Sequence, residues 1–175
     1  MTYIIIAALA LLLIYIFTRK LLSIASHWQT FLDSTQISTV DFYDTVKESL
    51  KEREITHVDI TNESFLEKHI LSAKRLYLRI TQNEYVIYIC AAPYGTGTFF
   101  SSWLCIKDET FINRIPLLSK LIGKDRKNKT FYQMDTEAMF RTAVHATVVA
   151  TIDSITEAKG VRGLTELDKQ YKDIR

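Results

Sequence analysis

Apolar and polar positions divide this chain into one unbroken apolar run and a longer remainder in which the two alternate in helical or strand rhythm. From Tyr3 to Phe17 there is no charge, glycine or proline, and the run stops at Arg19-Lys20. About fifteen residues make roughly 22 Å of helix, short of the roughly 30 Å bilayer core. Burial of Leu21 and Leu22 with snorkelling of Arg19 and Lys20 would close the gap, and so would bilayer thinning or helix association. Cations follow the run and none precedes it, which predicts an outside N-terminus and a cytoplasmic remainder. A cleaved secretory signal is the alternative, with small residues at Ser23-Ile24-Ala25, but such a signal carries its cations ahead of the apolar stretch.

Leu21, Ile24, Ala25, Trp28, Phe31 and Leu32 then recur at three- and four-residue steps, with polar residues filling much of the rest of the wheel. This pattern predicts one helix of about thirty residues, roughly 45 Å long, that leaves the bilayer and continues into the cytoplasm. The expected organisation is a transmembrane helix over 1–35 and a cytoplasmic α+β domain over 36–175. If copies gather in a ring, Arg19, Lys20, Ser23, Ser26, His27 and Thr30 are the candidates to line a pore; in a monomer the same stripe is a solvated face. Ala7, Ala8 and Ala10 are small enough to let neighbouring helices approach closely.

In the remainder, Ser38 to Asp41 opens a helix reaching about Glu52, with Phe42, Val46 and Leu50 on one side. A short extended piece near His57 to Ile60 and a short helix around Phe65 to Ser72 follow. Lys74 to Thr81 alternates with period two, Gln82-Asn83-Glu84 turns into Tyr85 to Ala92, and Pro93 to Gly97 turns into Thr98 to Lys107. These make an antiparallel meander of three strands. A long C-terminal helix from about Thr136 to Lys159, with Asp135 as N-cap and Gly160 as its stop, packs on it through Met139, Phe140, Ala143, Val144, Thr147, Val148, Ile152 and Ile155. Thr165 to Asp168 begins a short final helix.

A formal charge of +2 with 24% charged and 47% hydrophobic residues excludes a disordered chain and a globally basic nucleic-acid binder. Cys90 and Cys105 fall in strand-like segments and read as buried free thiols; their spacing suggests no metal site, and no cofactor is expected. Gly95-Thr96-Gly97 lies between strands and lacks both phosphate-loop patterns, so a hairpin turn accounts for its glycines. Tyr77, Tyr85, Tyr88, Phe99, Phe100 and Trp103 are either a base-stacking platform or strand formers that pack a helix.

Two further features carry candidate chemistry. The apolar stretch Phe111 to Ile122 is followed by a basic cluster, making Lys120, Lys124, Arg126, Lys127 and Lys129 candidate contacts to anionic lipid or to another subunit. Nonspecific RNA-phosphate binding by these cations is a further option, and an internal helix with a solvated loop is the plain alternative. Arg141 and His145, four apart on one helical face, are the weak catalytic candidates: a His for proton transfer and an Arg for a phosphate. No carboxylate, nucleophile or metal cluster accompanies them in sequence, and a packed structural pair is the competing reading.

The whole layout, the Tyr3 to Phe17 helix ahead of a small α+β domain carrying Arg141 and His145, resembles the small membrane accessory proteins encoded beside type VI-B CRISPR RNA-guided RNases. That family carries a divergent HEPN-type signature of Arg, four to six residues, then His; here three residues intervene. The resemblance implies a non-enzymatic, homo-oligomeric pore in a bacterial inner membrane, functionally coupled to an RNA-guided RNase, that depolarises the membrane in antiphage defence. The alternatives are a membrane-tethered HEPN-like RNase using Arg141 and His145, and a monomeric anchored module that binds lipid or a partner.

Overall fold

The computed structural model describes residues 21–66, 74–108 and 129–173. Strand β1 is Leu21–Leu32, helix α1 Thr39–Glu52, and strands β2 to β5 are Val58–Leu66, Lys74–Gln82, Tyr85–Tyr94 and Gly97–Asp108. Helix α2 is Phe131–Ala158, and Lys172–Asp173 adds a two-residue β6. The strands form one antiparallel sheet in the order β2-β3-β4-β5-β1-β6, and both helices pack on one of its faces. The chain is α+β, with an antiparallel meander under a long C-terminal helix.

β1 is a correction to the sequence expectation. Residues 21–32 are not a helical continuation of the apolar run; they pair along their length with β5, from Leu21 opposite Asp108 to Leu32 opposite Thr98. A bulge between Ile24 and Ser26 shifts the register. Beyond it, Ser26, Trp28, Thr30 and Leu32 are buried while Gln29 and Phe31 are exposed. The buried set mixes hydroxyls with Trp and Leu, so the period of two is hidden in residue type. The domain therefore begins by Leu21 and not at residue 36. Residues 1–20, where the expected membrane span falls, lie outside the described residues, among which no helix is long and apolar enough to cross a membrane.

α1 follows its capping chemistry: the Ser38 hydroxyl accepts from the Asp41 amide, and Phe42, Tyr43, Val46 and Leu50 are buried. α2 starts five residues earlier than Asp135 would have it. Thr130 is the N-cap, its hydroxyl accepting from the Gln133 amide while the Gln133 side chain returns to the Thr130 amide, a capping box. Gly160 lies just past the helix at φ 63°, the left-handed stop glycine supplies. Phe140, Val144, Val148 and Ile152, spaced by four, form the buried seam, whereas Met139 is exposed.

The meander is longer than three strands, since the extended piece near Ile60 is part of a full strand, β2. Phe65 lies within that strand, opposite Arg75, and does not begin a helix; residues 67–73 lie outside the described set. Thr165–Asp168 closes a single turn, not a helix, with the Thr165 amide donating to the Asp168 carboxylate. β3 and β4 stay paired only from Leu78 opposite Ile89 to Gln82 opposite Tyr85. Where they part, Tyr43 of α1 supplies the missing partners. Its hydroxyl lies 2.8 Å from the Leu76 carbonyl and 3.2 Å from the Ile89 carbonyl, and accepts from the Ala91 amide at 3.1 Å.

Candidate functional site

Arg141 and His145 do share a face of α2, and what they meet is the C-terminal tail. His145 Nε2 is 2.6 Å from the Lys169 carbonyl, which can only accept, so Nε2 carries the hydrogen and Nδ1 its lone pair. Nδ1 is buried and has no hydrogen-bond partner. The ring lies edge-on to Trp28 of β1 at 5.1 Å and to Tyr171 at 4.9 Å between centroids. Trp28 Nε1 donates to the Asp168 carbonyl, Tyr171 shares a 2.8 Å hydrogen bond with Ser102 of β5, and the Arg141 guanidinium stacks 5.5 Å over the Tyr171 ring.

Burial draws the His145 pKa below the ordinary imidazole value, opposed by the Lys169 carbonyl and reinforced by Arg141. Burial likewise pushes the Tyr171 phenol up. A neutral imidazole enclosed by two rings, with its only hydrogen on a backbone carbonyl, fastens the tail to sheet and helix. General acid/base work on a phosphodiester needs an imidazole nitrogen within reach of substrate. Sequence spacing finds the pair and cannot find its partners. Trp28, Ser102 and Tyr171 come from three other parts of the chain, and the spacing around Trp28 predicts a helix where the structure has a strand.

The other candidates disperse. Ser26 is fully buried on β1 with an unpartnered hydroxyl, Thr30 is buried further along the same strand, and Ser23 donates to the Ile106 carbonyl at 3.4 Å. His27 stacks on Trp103 at 5.1 Å. These four do not form a helical stripe. Arg19, Lys20, Lys120, Lys124, Arg126 and Lys127 lie outside the described residues, while Lys129 pairs with Glu137 and sits 5.9 Å over the Tyr85 ring.

The aromatic platform is split by strand alternation. Tyr85 and Phe100 join the core under the helices, whereas Tyr77 and Tyr88 pack edge-on with Phe65 on the opposite face. Cys90 and Cys105 are buried free thiols on that opposite face, and burial raises the Cys105 pKa to about 11. Among the described residues no three His, Cys, Asp or Glu side chains are grouped to hold a metal. Two open clefts, of about 460 and 370 Å³, lie between the β1–α1 loop and the tail and between α1 and α2; neither contains Arg141 or His145. Gly95 turns the β4–β5 hairpin at φ 59°.

No family model matches the sequence, and no curated protein matches it. A solved structure, that of TTHA0849 from Thermus thermophilus, is similar over 71% of this chain and 96% of that one, at 15% identity and a TM-score of 0.24. A likeness of that size bears on neither fold nor function.

Proposed function

We propose that this protein is a membrane-tethered module that works by binding and assembly at the cytoplasmic face, without chemistry of its own. The observation that carries the reading is the interval between the apolar run and the sheet. The run ends at Phe17 and β1 begins at Leu21, so only Thr18, Arg19 and Lys20 intervene. With Leu21 and Leu22 taken into β1, bilayer thinning or helix association has to relieve the mismatch of the short run. Four Cα steps reach at most about 14 Å, so a bilayer-spanning Tyr3–Phe17 holds this end of the sheet at the headgroup layer. The commitment of His145 to the Lys169 carbonyl and of Arg141 to the Tyr171 ring supports binding over phosphodiester cleavage.

The tether is tested by alkaline carbonate extraction of membranes and by protease access to the two ends of the chain. Retention in the pellet with a protected C-terminal domain is expected; release into the supernatant sinks the reading. Arg141→Lys and His145→Gln, at unchanged expression, are expected to leave function in place, whereas an RNase loses it.

A narrower version adds the oligomeric pore and the antiphage role implied by the resemblance. Ala7, Ala8 and Ala10 favour close helix approach within the run. With Ser23, Ser26, His27 and Thr30 taken into β1, Arg19 and Lys20 are the conduit candidates that remain ahead of the sheet. Detergent-corrected light scattering of the full-length protein decides this: a discrete particle of several subunits supports the ring, and a monomer across detergents removes it.

A further inference from the structure

We infer that the end of the domain at which β1 begins is a lipid-contact surface, with Leu22, Ile24, Phe131 and Tyr132 inserting into the interface of the membrane that holds the tether; this rests on the tethered reading above. The fold brings these residues to one end of the domain from its two sides: Leu22 and Ile24 on the sheet face away from the helices, where Ile24 pairs with Cys105, and Phe131 and Tyr132 on the helix side. Leu22 pairs with Lys107 and Ser23 with Ile106; Ile106 in turn pairs with Tyr85. The Tyr85 hydroxyl donates to the Gln133 carbonyl at 3.0 Å, which seats the first turn of α2 over the same end of the sheet. The β3–β4 turn closes the edge, the Lys107 amide donating to the Glu84 carbonyl at 2.8 Å.

At that end several large apolar side chains of the described residues are exposed. Phe131 is 87% and Tyr132 79% exposed, in a helix whose next turns are seamed into the core, and Leu22 and Ile24 are 44% and 51% exposed. Leaving such side chains in water forfeits burial that an interface supplies, and a phenol ring suits the headgroup boundary, where one end is apolar and the other wet. The chain outside the described residues enters and leaves here. Residues 1–20 join at Leu21, and residues 109–128 connect Asp108 to Lys129. In sequence the first junction carries Arg19-Lys20 and the second the cations from Lys124 to Lys129, the charge that anionic headgroups attract. Asp108, opposite Leu21, and Glu84, Asp135 and Glu137 are carboxylates at this end, with Glu137 paired to Lys129, so apolar insertion carries the contact and the cations bias it.

The opposite end differs. Phe31 and Tyr94 are exposed there, but they face each other edge-on at 6.5 Å. Tyr94 pairs with Gly97 and Leu22 with Lys107, ten residues further along β5, so about 33 Å separates the two ends.

That separation makes the test internal. Full-length Tyr132→Trp and Tyr94→Trp variants are reconstituted into phosphatidylcholine–phosphatidylglycerol vesicles whose acyl chains are brominated or plain. The emission of Trp28 and Trp103 is subtracted using the parent protein, and each sample is extracted with carbonate to confirm the tether. The expected result is loss of at least half of the added Tyr132→Trp emission in brominated vesicles, with Tyr94→Trp unaffected. No quenching at position 132 in carbonate-resistant protein overturns the inference while leaving the tether intact. A blue-shifted but unquenched Tyr132→Trp overturns it in favour of a second copy or another protein on this surface. Release by carbonate sinks the tether, and the lipid contact with it.

Discussion

Gly97→Ala tests the placement of residues 21–32 directly. Gly97 opens β5 beside the end of β1, where an added Cβ would overlap the Leu32 carbonyl oxygen and stand 2.5 Å from Phe31 Cζ. The exposed Phe31 ring can swing away; the carbonyl is backbone inside a paired ladder and cannot. Restoring van der Waals contact requires a shift of about 1 Å between the strands. Overpacking of this kind typically costs about 1–3 kcal/mol, and each ladder hydrogen bond lost adds about 1 kcal/mol. A total of about 3 kcal/mol, at roughly 2–4 °C per kcal/mol for a domain of this size, lowers Tm by roughly 6–12 °C.

The assay is thermal unfolding of detergent-solubilised full-length protein, followed by fluorescence, since the buried Trp28 sits on β1 itself. Gly95→Ala is the control. At Gly95 an added Cβ meets nothing within 4 Å and only the left-handed φ of 59° penalises it, for about 1–2 kcal/mol. Were residues 21–32 a helix leading out of the membrane, Gly97→Ala would meet no carbonyl and would stabilise slightly through the unfolded chain. A Tm within 1 °C of the parent, on the order of the resolution of such a scan, refutes the β1–β5 pairing.

Tyr43→Phe strips the hydroxyl that serves Leu76, Ile89 and Ala91 where β3 and β4 part, and is expected to cost about 2 kcal/mol in urea unfolding; a loss below 0.5 kcal/mol, on the order of a neutral surface change, contradicts that role. Ser26→Ala removes a buried hydroxyl with no partner and is expected to stabilise the fold by about 1 kcal/mol, read as a raised midpoint; destabilisation means that this hydroxyl is used. For His145 the folded pKa lies below the unfolded value of 6.5, so the unfolded chain takes up the proton first. Stability from this group is therefore intact above pH 6.5 and declines as the pH falls through that value toward the folded pKa. His145→Gln keeps a donor for the Lys169 carbonyl and cannot titrate, so it is expected to flatten urea midpoints between pH 7.5 and 5, on the order of the imidazole titration range; an unchanged acid slope contradicts a buried neutral imidazole.

What the sequence makes legible is local. α1 with its Ser38 cap, the alternation of β3, the hairpin at Gly95 and the stop at Gly160 each rest on residues within one turn or strand of each other, and each forms where the pattern places it. The start of α2 is also legible: Thr130 and Gln133 stand at capping-box spacing, and Asp135 competes with them only because it lies nearer the apolar seam. β1 is not legible. Its partner is β5, with Leu32 opposite Thr98 and Leu21 opposite Asp108, and pairing over that sequence distance leaves no mark in a local window. The bulge near Ala25 then breaks the alternation just where Leu21, Ile24, Ala25 and Trp28 mimic a helical stripe.

The same distinction governs the functional reading. Arg141 and His145 look catalytic in sequence because a cation and an imidazole on one helical face are what phosphate chemistry uses. Their meaning depends on the tail beyond Gly160, which returns across α2 to bring the Lys169 carbonyl and the Tyr171 ring to them. Once β1 is a strand, the polar residues at its start stop being a vestibule, and the apolar run must end within three residues of a folded sheet. If the run spans a membrane, as proposed, a partner or charge acting on it pulls on β1, which pairs along its length with β5.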